Sequence, residues 1–523
     1  MPEKFLINIK PRGYQKAIFE NCKDKNSLVV LPTGIGKTLI ALMVVIERMQ
    51  RHPTEKILFL APTRPLAEQH FEYFKKHLPE LFAQMELFTG QVTAEKRKKI
   101  WQRTDIIFST PQCIANDVKN HLYNLSDVSL LIEDEAHRCV KNYSYTYVAK
   151  KYNKQSENPL ILGLTASPGA DKQTIKKICE NLLIENVEVR TRESEDVKEY
   201  LQELKFNIIK VEFPKEFNEI RTNLKKIYDK NVEDLRKRNI LYGPANKITL
   251  LETQKRIMRS IATGNKNFNL YHGASSCAQA IKISHAIELL ETQTLHSLNN
   301  YFQSLFEQER LGKSKAVSKI ISNPEFSIAN LKVREMIENN IEHPKLLELK
   351  DLIKSKIDEN KKQKFIVFSQ YRDTVAKICK ELNLLKIPSK VFIGQAKKSV
   401  AGQEDSGLSQ KEQKEIINEF SNGKFNVLCA TSIGEEGLDI PEVNAVIFYE
   451  PVPSAIRKIQ RAGRTARLIK GELIMLITKD TRDEAFYWSA FHKEKRMHKA
   501  IDSIKEDLNN RKLNFENNQK KLF

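Results

Sequence analysis

None of the seven cysteines, at 22, 113, 139, 179, 277, 379 and 429, lies in a Cys-x-x-Cys pair. That spacing argues against a zinc site or an iron–sulfur cluster and fits small buried residues of a reducing compartment. No apolar run approaches the ~18 residues a membrane span needs. The first residues, MPEKFLINIKPRGYQ, lack the apolar core of a secretory leader, so a cytosolic protein is expected. Short-period repeats and low-complexity tracts are also missing. What the chain has in excess is positive charge: 86 Lys and Arg against 66 Asp and Glu, a net charge of +20. A polyanionic partner accounts for this excess, and so does a lysine-rich solvated surface. With 41% hydrophobic and 29% charged residues, the 523-residue chain has enough apolar surface for several cores.

From residue 27 to 165, short apolar runs alternate with longer amphipathic stretches. The runs are Ser27–Leu31, Ile57–Ala61, Ile106–Phe108, Val128–Ile132 and Leu160–Leu164. This rhythm predicts a parallel sheet with helices on both faces. It returns after His343 with Phe365–Phe368, Lys390–Ile393, Asn426–Cys429, Ala445–Tyr449 and Leu473–Ile477. Between the two, stretches such as Phe217–Tyr228 and Ala280–Leu290 follow helical spacing. The expected organisation is an α/β domain over 1–205, a helical insertion over 206–342, a second α/β domain over 343–490 and a basic helical tail over 491–523.

Leu31-Pro-Thr-Gly-Ile-Gly-Lys-Thr38 lies between an apolar strand and an apolar helix. Thr33, Gly34, Ile35 and Gly36 form a turn whose backbone N–H groups can wrap a phosphate, and the following helix turns its positive end to the same group. Lys37 is placed to reach the β- and γ-phosphates of ATP, and the Thr38 hydroxyl to ligate Mg²⁺. The strict motif has Gly where this chain has Leu31, which leaves a chance glycine-rich turn as the other reading. Leu130-Leu-Ile-Glu-Asp-Glu-Ala-His137 brings two carboxylates to a strand end. Asp134 is expected to hold Mg²⁺ and Glu135 to polarise the attacking water, unless the pair is only a solvated acidic turn. His137 either couples ATP to the other domain or caps local structure.

Ile459-Gln-Arg-Ala-Gly-Arg-Thr-Ala-Arg467 sets three arginines around a small Ala-Gly pair. Arginine offers a rigid fork of donors to phosphate oxygens. Arg464 and Arg467, with Gln460, are expected to complete the ATP site from across a cleft. A basic surface helix, or an arginine cluster for DNA, is the alternative.

These motifs stand in the order found in superfamily 2 helicases, with Thr165-Ala-Ser167 between them. The chain resembles the helicase part of the archaeal Hef and Fanconi anaemia group M family. The stretches that carry this are Ala61–Gln69, Asp134–Arg138 with Asn142-Tyr143, Glu342–Leu346, Phe392–Gln395, Gly407–Lys411, Ala430–Pro441 and Phe448–Arg457. The resemblance implies two RecA-like domains with a thumb-like helical insertion that grips branched or duplex DNA; Lys225, Lys226, Arg236, Lys237 and Arg238 fit a phosphate-facing surface there, or a solvated helix face. It implies that Gln15 senses adenine and that Gly437 and Asp439 touch both nucleotide and cleft. Thr63, Arg64, Thr110, Ser369, Gln370 and Thr431 are implied as contacts to the nucleic-acid backbone. It further implies a nucleoid-associated, archaeal-like protein acting on forks and Holliday junctions, beside a sliding clamp or a separate nuclease. Ala466 replaces a glycine common in relatives. No Glu-Arg-Lys nuclease signature is present, so no intrinsic nuclease activity is expected. An RNA-directed ATPase of the same superfamily and a non-catalytic nucleic-acid scaffold are the competing readings.

Overall fold

The structure is a computed structural model that describes residues 2–169, 171–201, 203–264, 267–394, 398–400, 403–405, 407–431, 440–452 and 471–520, with backbone alone for 398–400, 403–405 and 509–520. Seven strands build the first sheet: β1 Ser27–Val30, β2 Lys56–Leu60, β3 Met85–Phe88, β4 Ile106–Ser109, β5 Val128–Asp134, β6 Ile161–Thr165 and β7 Asn186–Val189. They pair in parallel in the order β3-β4-β2-β5-β6-β1-β7. The interior strands are buried throughout and mostly apolar because helices cover both faces of the sheet. One face packs Leu28, Leu58, Ile107 and Leu131. The opposite face packs Val29, Phe59, Phe108 and Ile132.

The second sheet draws on β8 Leu204–Val211, β9 Phe365–Phe368 and β10 Ser389–Phe392. A small antiparallel hairpin follows, β11 Lys398–Val400 with β12 Gln403–Asp405. Then come β13 Val427–Ala430, β14 Ala445–Phe448 and β15 Gly471–Thr478. The order is β10-β13-β9-β14-β15-β8, again parallel. Two parallel-sheet lobes flanked by helices are therefore present, as the alternating apolar runs predict.

Between the lobes lies a helical bundle made of Lys215–Lys237, Lys247–Ala262, Phe268–Thr292, Leu295–Arg310, Lys315–Ile321 and Pro324–Glu338. It has two apolar centres. Phe217, Leu224, Ile287, Phe302 and Phe326 belong to the larger one. Leu235, Leu250, Ile257 and Cys277 form a smaller one toward the far ends of the two longest helices.

Two expected boundaries cut through elements. A break at 205/206 falls inside β8, which pairs along its whole length with β15 of the second sheet. The second lobe thus takes its edge strand from the chain before the insertion. A break at 490/491 falls inside the helix Arg482–Lys520. That helix starts beside β15 and then lays Met497, Ala500, Ile501 and Ile504 into the first-lobe core, against Ile175, Ile178 and Cys179. The tail is a strap between lobes. Burying Met497, Ile501 or Ile504 fully contributes about 1.5–3 kcal/mol each.

Candidate active site

The phosphate loop leaves β1 and enters the helix Lys37–Arg51. Gly34 and Gly36 both adopt left-handed backbone angles, φ 86° and 85°. At Gly36 even a methyl group would collide with the Gln15 side-chain nitrogen. Two consecutive residues of the Gly13–Cys22 helix brace this loop. Tyr14 donates its hydroxyl to the Ile35 carbonyl at 2.6 Å. Gln15 donates its amide to the carbonyls of Ile35 at 3.3 Å and Gly36 at 3.4 Å, and accepts from Arg12 N at 2.9 Å. Lys37 Nζ donates to the carbonyls of Leu31 and Pro32, at 2.9 and 3.4 Å. Thr38 follows in the first helical turn, and the Thr33 hydroxyl is buried without a hydrogen-bond partner among the described residues.

The acidic pair ends β5, separated from β1 only by β6. Asp134 and Glu135 are 5% and 7% exposed. Burial alone would raise the Asp134 carboxyl. The nearby His70, its hydrogen bond, and then Lys37 outweigh that and hold it below the ordinary carboxylate range. Lys37 and Asp134 are thus brought to one place, as their motifs imply. Tyr145 fixes the strand end by donating its hydroxyl to the Asp134 carbonyl at 2.6 Å. Glu135 has φ 53°, a left-handed angle that ordinarily costs a non-glycine residue about 1–2 kcal/mol. The chain pivots there, so successive carboxylates leave the strand end differently. Glu135 Oε2 stands 3.2 Å from His137 Nδ1, which also lies 3.2 Å from the Thr165 hydroxyl. Thr165 in turn bonds both the backbone N–H and the carbonyl of Ser167. Ser167 Oγ donates to Met497 Sδ of the strap helix at 2.8 Å. His137 is thus linked through Thr165 and Ser167 to a strap-helix side chain seated in the first-lobe core.

The expected nucleic-acid residues stand at carboxyl ends of strands in both lobes, where parallel sheets bind ligands. Thr63 and Arg64 follow β2 and open the helix Arg64–His77. Thr110 follows β4, Gln370 follows β9 and Thr431 follows β13. Thr63 Oγ1 and Arg64 Nε are buried with no hydrogen-bond partner among the described residues. Ser369 requires a correction: it is fully buried, and its hydroxyl donates to Gln293 of the helical insertion at 3.1 Å, so its side chain faces the bundle rather than a surface. Thr431 is 7% exposed. In the bundle, Lys225, Lys226, Arg236 and Lys237 are exposed, with Lys237 paired to Glu233 and the half-buried Arg238 to Asp234. Gly437, Asp439, Gln460, Arg464 and Arg467 lie outside the described residues.

The residue that sequence reasoning missed here is His70. Its Nε2 stands 2.9 Å from Asp134 Oδ2, both groups buried. The one signal was its place directly after the Ala61–Gln69 stretch.

Comparison with known proteins agrees with this arrangement. A DEAD/DEAH box helicase model matches residues 12–175 and a helicase conserved C-terminal domain model matches 344–469. A model described as "Putative ATP-dependent RNA helicase, helical bundle" matches 216–339. The crystal structure of the Pyrococcus furiosus Hef helicase domain superposes with a TM-score of 0.70 at 42% identity, over 92% of this chain and 98% of that one. A Methanocaldococcus jannaschii protein named "Putative ATP-dependent RNA helicase MJ1505" is 38% identical over 96% of this chain and 62% of its own length. The ATP-dependent DNA helicase mph1 of Neurospora crassa is 34% identical over 92% of this chain and 42% of its own. The mouse Fanconi anemia group M protein homolog is 30% identical over 96% of this chain and 26% of its own. This chain therefore spans less than two thirds of each of these three curated relatives. With two parallel-sheet lobes, a helical bundle between them and both motif sets in order, the chain belongs to the ATP-hydrolysing DEAD/DEAH-box helicases of the Hef and Fanconi anaemia group M family, and corresponds to their helicase portion.

Proposed function

We propose that this chain uses ATP hydrolysis to move on branched DNA, such as forks and four-way junctions. The observation that carries this reading is a pair of buried polar atoms, Thr63 Oγ1 and Arg64 Nε, that have no hydrogen-bond partner among the described residues and stand at the same sheet edge as the phosphate loop and Asp134. Buried polar groups are nearly always paired, so two adjacent orphans at a strand end suit a ligand rich in phosphate oxygens. The net charge of +20 supports the same partner. The DNA-helicase name of the Neurospora crassa relative favours DNA. The "RNA helicase" wording of the Methanocaldococcus relative and of the bundle model favours a second reading, an RNA-directed ATPase.

In this reading Thr33 through Thr38 cradle the triphosphate, with Lys37 reaching its outer phosphates. Mg²⁺ fits the donor set, because a hydroxyl at Thr38 and a carboxylate kept ionised at Asp134 are hard oxygen ligands. When bound, the ion would offset charge on the phosphate oxygens. Glu135 orients the attacking water. The resemblance assigns Gln460, Arg464 and Arg467 as donors to the phosphates, and Gly437 and Asp439 as contacts to both nucleotide and cleft. Gln15 braces the loop and senses the base. Hydrolysis then alters the affinity of one lobe for the other, and Thr63, Arg64, Thr110, Gln370 and Thr431 step along the backbone.

The test is ATP turnover with single-stranded DNA, duplex, fork, four-way junction and double-stranded RNA, for the unaltered chain, Lys37→Ala and Glu135→Gln. Forks and junctions should stimulate most, and both variants should lose that stimulation. Greatest stimulation by double-stranded RNA would favour the second reading. Substantial turnover in both variants would refute the assigned roles.

A further inference from the structure

The helix Arg64–His77 touches three parts of the molecule within seven residues. Its first turn carries the orphaned Thr63 and Arg64 atoms. Glu68 then reaches the other lobe, where it pairs at 2.9 Å with Lys414 of the helix Gln410–Ser421. Two residues on, about 200° around a helix of 3.6 residues per turn, His70 points into the first lobe and meets Asp134 at 2.9 Å. An ionised carboxylate only accepts, so His70 Nε2 carries the proton and donates. The imidazole has little freedom: it is 7% exposed, and its ring centroid lies 4.5 Å from that of Phe59.

We propose that His70 is a positioning residue that ties the setting of this helix to the orientation of the Asp134 carboxylate. Nucleic acid at the first turn and the second lobe at Glu68 both act on one rigid element. Packed helices shift as units, so a small displacement at Thr63 arrives undiminished at His70. There it changes the direction of the His70 hydrogen bond to the Asp134 carboxylate. Partners behind a metal-binding carboxylate fix its orientation in this way. Binding of nucleic acid thereby reaches the hydrolytic site within the first lobe, without passing through the cleft. The inference rests on the reading of Asp134 as a metal carboxylate and of Thr63 and Arg64 as nucleic-acid contacts.

The test compares His70→Ala, His70→Gln and Asp134→Asn in the whole chain. Mn²⁺ binding is read by electron paramagnetic resonance in the presence of a non-hydrolysable ATP analogue, alongside the fork affinity and the ratio of fork-stimulated to basal turnover. His70→Ala should weaken Mn²⁺ binding about 10–100-fold and bring the stimulated rate near the basal rate, at unchanged fork affinity. His70→Gln, whose amide nitrogen can stand near the Nε2 position, should restore most of both. Unaltered Mn²⁺ binding and stimulation in His70→Ala, with both lost in Asp134→Asn, would overturn the proposal alone. Equal damage in the Ala and Gln variants would overturn it as well, since that is the mark of packing. Mn²⁺ binding and turnover retained in Asp134→Asn would instead remove the metal reading beneath it.

Discussion

Lys345 and Asp483 face each other at 2.7 Å with neither side chain exposed. Lys345 Nζ also donates to the Thr292 carbonyl at 2.7 Å and lies 4.9 Å from the centre of the Tyr449 ring. Asp483 accepts from Thr478 N as well. One ammonium therefore joins the end of the longest bundle helix, the first turn of Pro344–Glu359 and the start of the strap helix. The Glu342–Leu346 stretch, diagnostic at the level of sequence, is here the hub where three elements meet. Lys345→Met should destabilise the chain by about 3–5 kcal/mol, because it strands a buried carboxylate. Adding Asp483→Leu should recover most of that loss. Urea unfolding of the single and double variants measures it.

His343 caps the same helix by accepting from Lys345 N at 3.2 Å, which requires an unprotonated Nδ1. Complete burial, and then the adjacent Lys345, push this imidazole well below its ordinary 6.5. The unfolded chain therefore binds more protons than the folded one below pH 6.5. His343 contributes its full stability above that pH and loses it as the solution is acidified, by up to about 1.4 kcal/mol per pH unit. His343→Asn keeps a capping acceptor but does not titrate. Its unfolding free energy should fall less steeply from pH 6.5 downward than that of the unaltered chain.

Gly36→Ala meets two obstacles, the left-handed φ of 85° and the Gln15 side chain. The backbone angle alone costs about 1–2 kcal/mol. Displacing the loop by even ~1 Å should lower turnover about 100-fold. A Gln15→Ala change made in the same chain removes the collision but not the backbone cost, so it should not restore the rate. A steady-state ATPase assay decides this.

Arg464→Ala should reduce turnover by about 10³-fold or more, with ATP affinity little changed, since a phosphate-directed arginine acts mainly in the transition state. Equilibrium binding of a fluorescent nucleotide, set beside the turnover number, separates the two effects. A large loss of affinity at unchanged turnover would contradict the role.

The central strands of both sheets were legible in the sequence because burial on both faces demands continuous apolar runs. The edges were not. Met85–Phe88 and Asn186–Val189 are partly exposed, and Leu204–Val211 mixes lysine and asparagine with its apolar residues. The last of these also precedes the insertion, so chain order hides its place in the second sheet. The phosphate loop and acidic box were legible because their chemistry fixes both residue type and spacing. His70 was not, since one histidine in an amphipathic helix carries no mark of what it faces. Nor was the left-handed turn at Glu135, which no residue preference announces. Ser369 was misread because position at a strand end says nothing about which neighbour covers it.

The seat for Met497 and its neighbours on the first lobe is filled by a segment some 330 residues later in the chain. During synthesis that lobe emerges with an open greasy patch, which stays uncovered until residues 497–504 have been made. A nascent chain stalled midway, or a proteolytic fragment severed before residue 482, would expose Ile175 and Ile178 to whatever sticky surface it meets first. Such a product would be prone to association until Met497, Ala500, Ile501 and Ile504 return to their seat.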